Sequence, residues 1–418
     1  MYWMKWVPWP RGAASGWSRA RRACRRAQKI AGGTPVPTSG PTPGHTWGRD
    51  PLGHLVSVDN LTDSDLEDLF RRADVFHRSR QQAPDRLDRR LLAVLFYEPS
   101  TRTRLSFESA ILRLGGQVLG FSDAGSSSVA KGETVADTIR MVAAYADAVV
   151  MRHPAAGSTQ VAAEYTELPL VSGGDGAHLH PTQTLTDLYY LRQTKGAIED
   201  LTVAVAGDLH AGRTVHSLAT ALARLGARIV CVAPQGLTMP DYVVDEVQER
   251  FGGRIDSVDR LEDCLDEADV IYMTRLQRER LPESLRHVEI PRVDAEMLSK
   301  MRPDTIILHP LPRVDEIAYE VDEDLRAGYF EQAAGGVTVR MALLDLMLAD
   351  ETFATGQRPF KPVTPKESYA RCDNPGCITH RETYVPHRPV VTDWSPDQPR
   401  CAWCEHPLVQ GVLDLERD

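Results

Sequence analysis

The pentad Ser100-Thr101-Arg102-Thr103-Arg104 follows an apolar run, Leu92–Leu95, with only Phe96-Tyr97-Glu98-Pro99 between them. Three hydroxyls and two guanidiniums at one point of a chain suit an anion, because charge of this kind is buried unpaired only at a large desolvation cost. If the apolar run is a strand and the pentad opens a helix, free backbone N–H groups and the helix dipole add to the attraction for phosphate. Arg102 can grip phosphate oxygens in two-pronged fashion, which Lys cannot. A solvated basic first turn explains the pattern badly, since arginine there opposes the dipole. Glu98 reads equally as a surface acid or as a carboxylate that orients Arg102 or Arg152.

Further polar groups recur just after apolar runs. Arg152 closes DAVVMR; His180-Pro181-Thr182-Gln183 precedes a helical pattern; Arg213 ends Gly207-Asp208-Leu209-His210-Ala211-Gly212-Arg213. Arg275 and Gln277 follow VIYMT, and His309-Pro310-Leu311-Pro312-Arg313 follows TIIL. The turn at Gly207 lacks the spacing of a dinucleotide-binding loop, which excludes NAD. The loop Ser126–Thr134 is small-residue-rich and carries one lysine, Lys131. Near the end, Cys372-x4-Cys377 and Cys401-x2-Cys404 form two knuckles able to wrap a tetrahedral zinc ion, with two disulfides as the alternative.

These residues need strands to end beside them. Thr62 starts a helix in which Leu66, Leu69, Phe70 and Ala73 share a face. Strands LLAVLFYE, QVLGF and DAVVMR alternate with helices over Leu105–Leu114 and Thr134–Tyr145, and a helix near Leu185 bridges to a second unit. There LTVAVAG, ARIVCV, ADVIYM and TIILHP are strands. The alternation predicts an α/β fold: two doubly wound parallel-sheet domains with ligands at the carboxyl ends of strands. The expected boundaries are a disordered basic tail over 1–50, a first domain over 51–185 completed by a C-terminal helix over 336–355, a second domain over 186–335, a linker over 356–370 and a small β domain over 371–410.

The 418 residues carry a net charge of −10, which argues against a nucleic-acid partner. Residues 1–50 hold nine Lys/Arg against the single acid Asp50. That segment reads as a disordered tail or the product of a misplaced start codon rather than a transit peptide. No apolar run reaches the length of a membrane span, so no membrane is expected. Cysteines scattered at 24, 231 and 264 are no secreted framework, which favours a reducing cytoplasm.

STRTR-x-SFE, HPTQ, TRLQ and HPLPR occur in order, and over roughly residues 52–355 the chain resembles the aspartate/ornithine carbamoyltransferase family. The resemblance implies transfer of the carbamoyl group of carbamoyl phosphate to L-aspartate, an early step of de novo pyrimidine biosynthesis. It implies that Ser100, Thr101, Arg102 and Thr103 hold the phosphate. Thr103, Arg152 and His180 would polarise the carbonyl, and Gln183 would contact the carbamoyl nitrogen. Arg213, Arg275 and Gln277 would bind the two carboxylates of aspartate, and the carbonyls of Pro310 and Leu311 would accept from the amino and carbamoyl nitrogens. Ser127 and Lys131 would come from a neighbouring subunit, which implies a homotrimer with shared sites. HPLPR in place of the ornithine enzymes' HCLP, together with Arg275, favours aspartate. The alternatives are another amino acceptor or a non-catalytic subunit that keeps the fold. Arg371–Leu408 resembles the zinc domain of the family's separate regulatory chain, here fused to the catalytic chain, with its nucleotide-binding domain missing. Structural zinc on Cys372, Cys377, Cys401 and Cys404 is therefore expected, no organic cofactor is, and the zinc domain is expected to reinforce assembly.

Overall fold

The structure, a computed structural model, describes residues 49–50, 53–79, 83–278, 280–350, 353–356, 360–362 and 372–408. The expected basic tail lies outside these residues, apart from Arg49–Asp50, a short strand paired antiparallel with Thr355–Gly356.

In the first domain β1 (Leu91–Phe96), β2 (Gln117–Phe121), β3 (Ala148–His153) and β4 (Leu170–Asp175) form a parallel sheet in the order β2-β1-β3-β4. The near-continuous apolar character of β1 and β3 follows from burial on both faces. Around them lie α1 (Asp63–Arg78), α2 (Thr101–Arg113), α3 (Val135–Val142), α4 (Ser158–Ala163) and α5 (Pro181–Lys195). Thr62 caps α1 as expected: its hydroxyl accepts from Asp65 N at 3.2 Å while the Asp65 carboxylate accepts from Thr62 N at 2.8 Å. Helix α2 starts four residues earlier than the hydrophobic pattern indicates, so Thr101-Arg102-Thr103-Arg104 is its first turn.

The second domain is a five-stranded parallel sheet, order β9-β8-β5-β6-β7, built from β5 (Thr202–Ala206), β6 (Arg228–Val232), β7 (Ile255–Val258), β8 (Val270–Met273) and β9 (Ile306–Leu308). Helices α6 (Arg213–Arg224), α7 (Asp241–Phe251) and α8 (Ala295–Lys300) belong to it. In each sheet the strand order reverses at one point, between β1 and β3 and between β5 and β8. Arg102 follows β1 and Arg152 lies at the carboxyl end of β3, while Arg213 and Arg275 follow the second pair. Ligands in open α/β sheets bind at such points.

The last long helix differs most from expectation. It was expected to begin at Gly336; α9 spans Tyr329–Ala349, with Gly335 and Gly336 inside it, and packs on α1, α2 and α5 of the first domain. Burial overrides the low helix propensity of the two glycines. With a mean hydropathy of 1.2 this helix is also long and apolar enough to cross a membrane, contrary to the sequence reading, but 67% of that stretch is buried inside the protein. Arg72 bridges Asp345 of α9 at 2.8 Å, a placement suited to a core helix.

The expected linker contributes a strand, β10 (Phe360–Pro362), which pairs with β11 (Pro389–Thr392), itself paired with β12 (Arg400–Cys401). This domain shares an apolar cluster with the first domain: Ile378, Val385, Trp403 and Leu408 pack with Ala155, Ala156, Val161 and Leu170.

Candidate active site

One cleft of about 1590 Å3 collects most of the polar residues singled out by the sequence. Ser100, Thr101, Arg102, Thr103, Arg152, His180 and Gln183 line it from the first domain, and Arg213, Arg275, Gln277, Pro310 and Leu311 from the second. Ser100 is the N-cap of α2 and makes no side-chain capping bond, and both it and the first turn line the cleft. Among the described residues, six arginines line the cleft, the four above with Arg280 and Arg340, against one carboxylate, Glu98. The overall charge is negative, yet here cations dominate.

Glu98 resolves its two readings in favour of a site role, with Arg152 and not Arg102. Its Oε1 accepts from Arg152 Nη2 at 2.6 Å and from Arg213 Nη2 at 3.2 Å. A sequence separation of 115 residues gives no local sign of the second bond. Arg213 also donates to Gly176 O at 2.5 Å, and Arg152 to Gly173 O at 3.1 Å. A Cβ on Gly174 would meet Arg152 Nη1, Arg213 Cζ and His180 Cδ2, each at 3.2 Å, so three functional side chains converge on one glycine with φ +109. Burial, then Arg213, lowers the Arg152 guanidinium to about 9, still charged at neutral pH. Partial burial, then Arg275, lowers Arg102. Burial, then Arg213 and Arg152, holds His180 well below the usual imidazole range, so its ring is neutral.

Gln183 is engaged by the protein: its Nε2 donates to Asp187 Oδ1 at 2.7 Å. Gln277 Nε2 donates to Ala211 O at 3.0 Å. The turn at Pro310 and Leu311 is braced from beneath. Leu311, at φ +55, donates N–H to His309 Nδ1 at 2.7 Å, so His309 Nε2 carries the proton and donates to Glu316 at 2.8 Å. Gln332 Oε1 accepts from His309 N at 3.0 Å.

Two expected residues stand apart. Ser127 precedes and Lys131 ends a short 3-10 turn, Ser128–Lys131, and neither is in the lining of this cleft; Lys131 is exposed. The sequence reading missed Arg340. It enters from α9, donating to Ser106 Oγ at 3.2 Å and lying 5.0 Å over the Phe107 ring. A lone arginine inside the apolar run VTVRMALL is the signal that could have revealed it. Arg280, four residues after Leu276, escaped for want of any local pattern.

The cysteines form the second site. Cys372, Cys377, Cys401 and Cys404 are buried, with all Sγ atoms within 4.8 Å of one another. Cys372 and Cys404 lie 3.4 Å apart and Cys377 and Cys401 3.9 Å. A disulfide needs about 2.05 Å. Four thiolates about 2.3 Å from a tetrahedral zinc sit about 3.8 Å apart, which these residues fit. Thr379 Oγ1 donates to Cys377 Sγ at 3.3 Å, as suits a thiolate.

Two parallel-sheet domains joined across an arginine-lined cleft, with a four-cysteine domain docked on one of them, define a protein built to bring anionic ligands together. Family models agree. The aspartate/ornithine carbamoyltransferase carbamoyl-P binding domain matches residues 53–193, its Asp/Orn binding domain 199–347, and the metal binding domain of the aspartate carbamoyltransferase regulatory chain 367–412. Aspartate carbamoyltransferase catalytic subunits of Chromobacterium violaceum and Clostridium botulinum are 49% and 50% identical, each over 71% of this chain and 97% of their own length. The M. jannaschii catalytic subunit superposes with a TM-score of 0.66 at 40% identity, over 71% of this chain and 98% of its own. A Trypanosoma cruzi aspartate transcarbamoylase, solved with N-(phosphonacetyl)-L-aspartic acid, gives 0.66 at 36%, over 70% and 95%. The chain belongs to the aspartate/ornithine carbamoyltransferase family.

Proposed function

We propose that this chain transfers the carbamoyl group of carbamoyl phosphate to the amino group of L-aspartate, giving N-carbamoyl-L-aspartate and phosphate in de novo pyrimidine synthesis. The observation that carries the reading is the distribution of charge: Arg102 and the start of α2 on one wall, Arg213 and Arg275 on the other, and, among the described residues, one carboxylate beside six arginines. Solved relatives bind carbamoyl phosphate and aspartate.

The amine forms a C–N bond to the carbamoyl carbon, the C–O bond to phosphate breaks, and phosphate departs with the electron pair and takes up the proton that the amine nitrogen gives up. Phosphate is a fair leaving group, so catalysis consists of positioning and charge stabilisation. Ser100, Thr101, Arg102 and Thr103 hold the phosphate as it leaves. Thr103, Arg152 and neutral His180 donate to the carbonyl oxygen as charge develops on it. Arg213 and Arg275, with Gln277, take the aspartate carboxylates, and the braced carbonyls of Pro310 and Leu311 take N–H groups. Gln183 reaches the carbamoyl nitrogen after leaving Asp187. Ser127 and Lys131 complete the cleft of a neighbouring copy in a homotrimer, a reading supported by their place outside their own. Zinc on the four cysteines is structural, and the free thiols fit a cytoplasmic enzyme.

Carbamoyl transfer by the purified chain, with L-aspartate and L-ornithine side by side, tests this. Product from aspartate alone is expected. Product from ornithine alone, or from neither, overturns it.

A further inference from the structure

Both cysteine knuckles touch the first domain at the loops that follow β3 and β4, the strands leading to Arg152 and His180. On the first loop, Ala156 N donates to Gly376 O at 2.8 Å and Ala156 O accepts from Ile378 N at 2.9 Å; Gly376 and Ile378 flank Cys377. Gly157 lies so close to Trp403, between Cys401 and Cys404, that a Cβ there would come within 2.5 Å of its backbone. On the second loop, the His178 ring joins Asp175 Oδ2 at 3.1 Å to Glu405 Oε1 at 2.9 Å, and Glu405 directly follows Cys404. Asp175 also accepts from Gly157 N at 2.8 Å and from Leu179 N at 3.0 Å. One bonded path, Glu405–His178–Asp175, therefore joins a knuckle to both loops.

This path ends on the reacting groups. His180 lies two residues beyond His178, and Gly176 O is the acceptor for Arg213. Neither His178 nor Glu405 lines the cleft. With the bond to Glu405 gone, the segment from Asp175 to His180 loses the side-chain bond that ties His178 to the knuckle. Displacement of a catalytic donor by about 1 Å is enough to cost on the order of 100-fold in rate.

We propose that Glu405 and His178 are positioning residues, through which the metal-bearing domain fixes the loop 175–180 and so aims His180 at the carbonyl. The proposal rests on the function given above. It gives the fused domain a part in turnover besides assembly.

The test uses the full chain and three variants, Glu405→Ala, His178→Ala and Glu405→Gln, the last keeping a carbonyl acceptor. Four quantities are measured: kcat, KM for each substrate, calorimetric affinity for N-(phosphonacetyl)-L-aspartate, and zinc content. In both alanine variants kcat and analogue affinity should fall about tenfold, while KM for carbamoyl phosphate stays within about twofold, since Ser100–Thr103 is untouched. Glu405→Gln should stay within about twofold of the unmodified chain, and the double alanine variant should be no worse than either single one. Should Glu405→Ala shed its metal, His178→Ala, which lies outside the metal domain, decides alone. Unchanged kcat and affinity with only a lower Tm would overturn the proposal while leaving the function intact. An unmodified chain that neither turns over nor binds the analogue overturns the functional reading itself.

Discussion

Among the described residues, six arginines share the cleft with one carboxylate, and four cysteines share a space in which every sulfur lies within 4.8 Å of the others. Both are crowds of like groups, but burial differs. The cysteines are sealed, none more than 5% exposed, and pack in the same apolar cluster as Trp403. The cleft is open to solvent where Arg102 is exposed, while Arg213 and Arg340 on its wall are buried. A sealed cluster of thiolates needs a permanent cation and contributes to folding through it. An open cluster of guanidiniums keeps solvent as an alternative partner and holds its attraction for substrate. The same repulsion is thus converted into stability at one site and into binding at the other.

The largest effect that would sharpen this contrast is loss of the metal site. Cys377→Ser should abolish zinc binding, and in peptides such binding is worth about 10–16 kcal/mol. Hydrogen exchange should show residues 372–408 losing protection, together with Ala155 and Ala156 beneath them. Retained protection would mean that apolar docking, and not metal, holds this domain.

Removing a charge from the cleft should do the reverse. Arg102→Ala should lower kcat/KM about 1000-fold, as loss of a charge-stabilising donor does, with the oligomer intact. Because burial, and then Arg275, already lower the Arg102 guanidinium, the variant should melt at the same temperature or higher. Activity within tenfold of the unmodified chain would show that the start of α2 is not the phosphate cradle. Arg275→Ala is the next smaller step. Losing one charge-assisted pair of bonds should raise KM for aspartate roughly 50-fold and leave KM for carbamoyl phosphate alone. A rise in both would place Arg275 at both substrates.

What the sequence made legible depended on locality. Strand ends followed by polar residues, the pentad at a helix start and the two cysteine knuckles are short-range patterns, and the structure gathers all but Ser127 and Lys131 at the sites they suggested. Long-range pairings left no trace. Glu98 meets Arg213 across 115 residues, His178 meets Glu405 across 227, and Arg340 reaches Ser106 across 234. The start of α9 was misread for a related reason: its glycines carry a local helix-breaking signal that packing against α1, α2 and α5 overrides.

Bonded to the cleft residue Gln183 lies a buried acid whose burial governs its titration. Asp187 on α5 accepts from Gln183 Nε2 at 2.7 Å, Gln332 Nε2 at 2.6 Å and Tyr272 OH at 2.8 Å, tying α5, β8 and α9 together. Burial nevertheless pushes its carboxyl up to about 7, against the lowering effect of these bonds. The unfolded chain releases this proton near 3.8, while the folded chain holds it until about 7. Stability from this group is therefore full at low pH and falls as pH rises through that window, by up to roughly 1.4 kcal/mol per pH unit. Neutral His180 works in the opposite sense below the imidazole range, so only the difference between variants isolates Asp187. Asp187→Asn should gain stability relative to the unmodified chain between pH 5 and about 7, with the gain levelling off above that. Urea midpoints at equal m-value would read it. A difference that stays constant with pH would mean that the three donors, and not burial, set the proton affinity of Asp187.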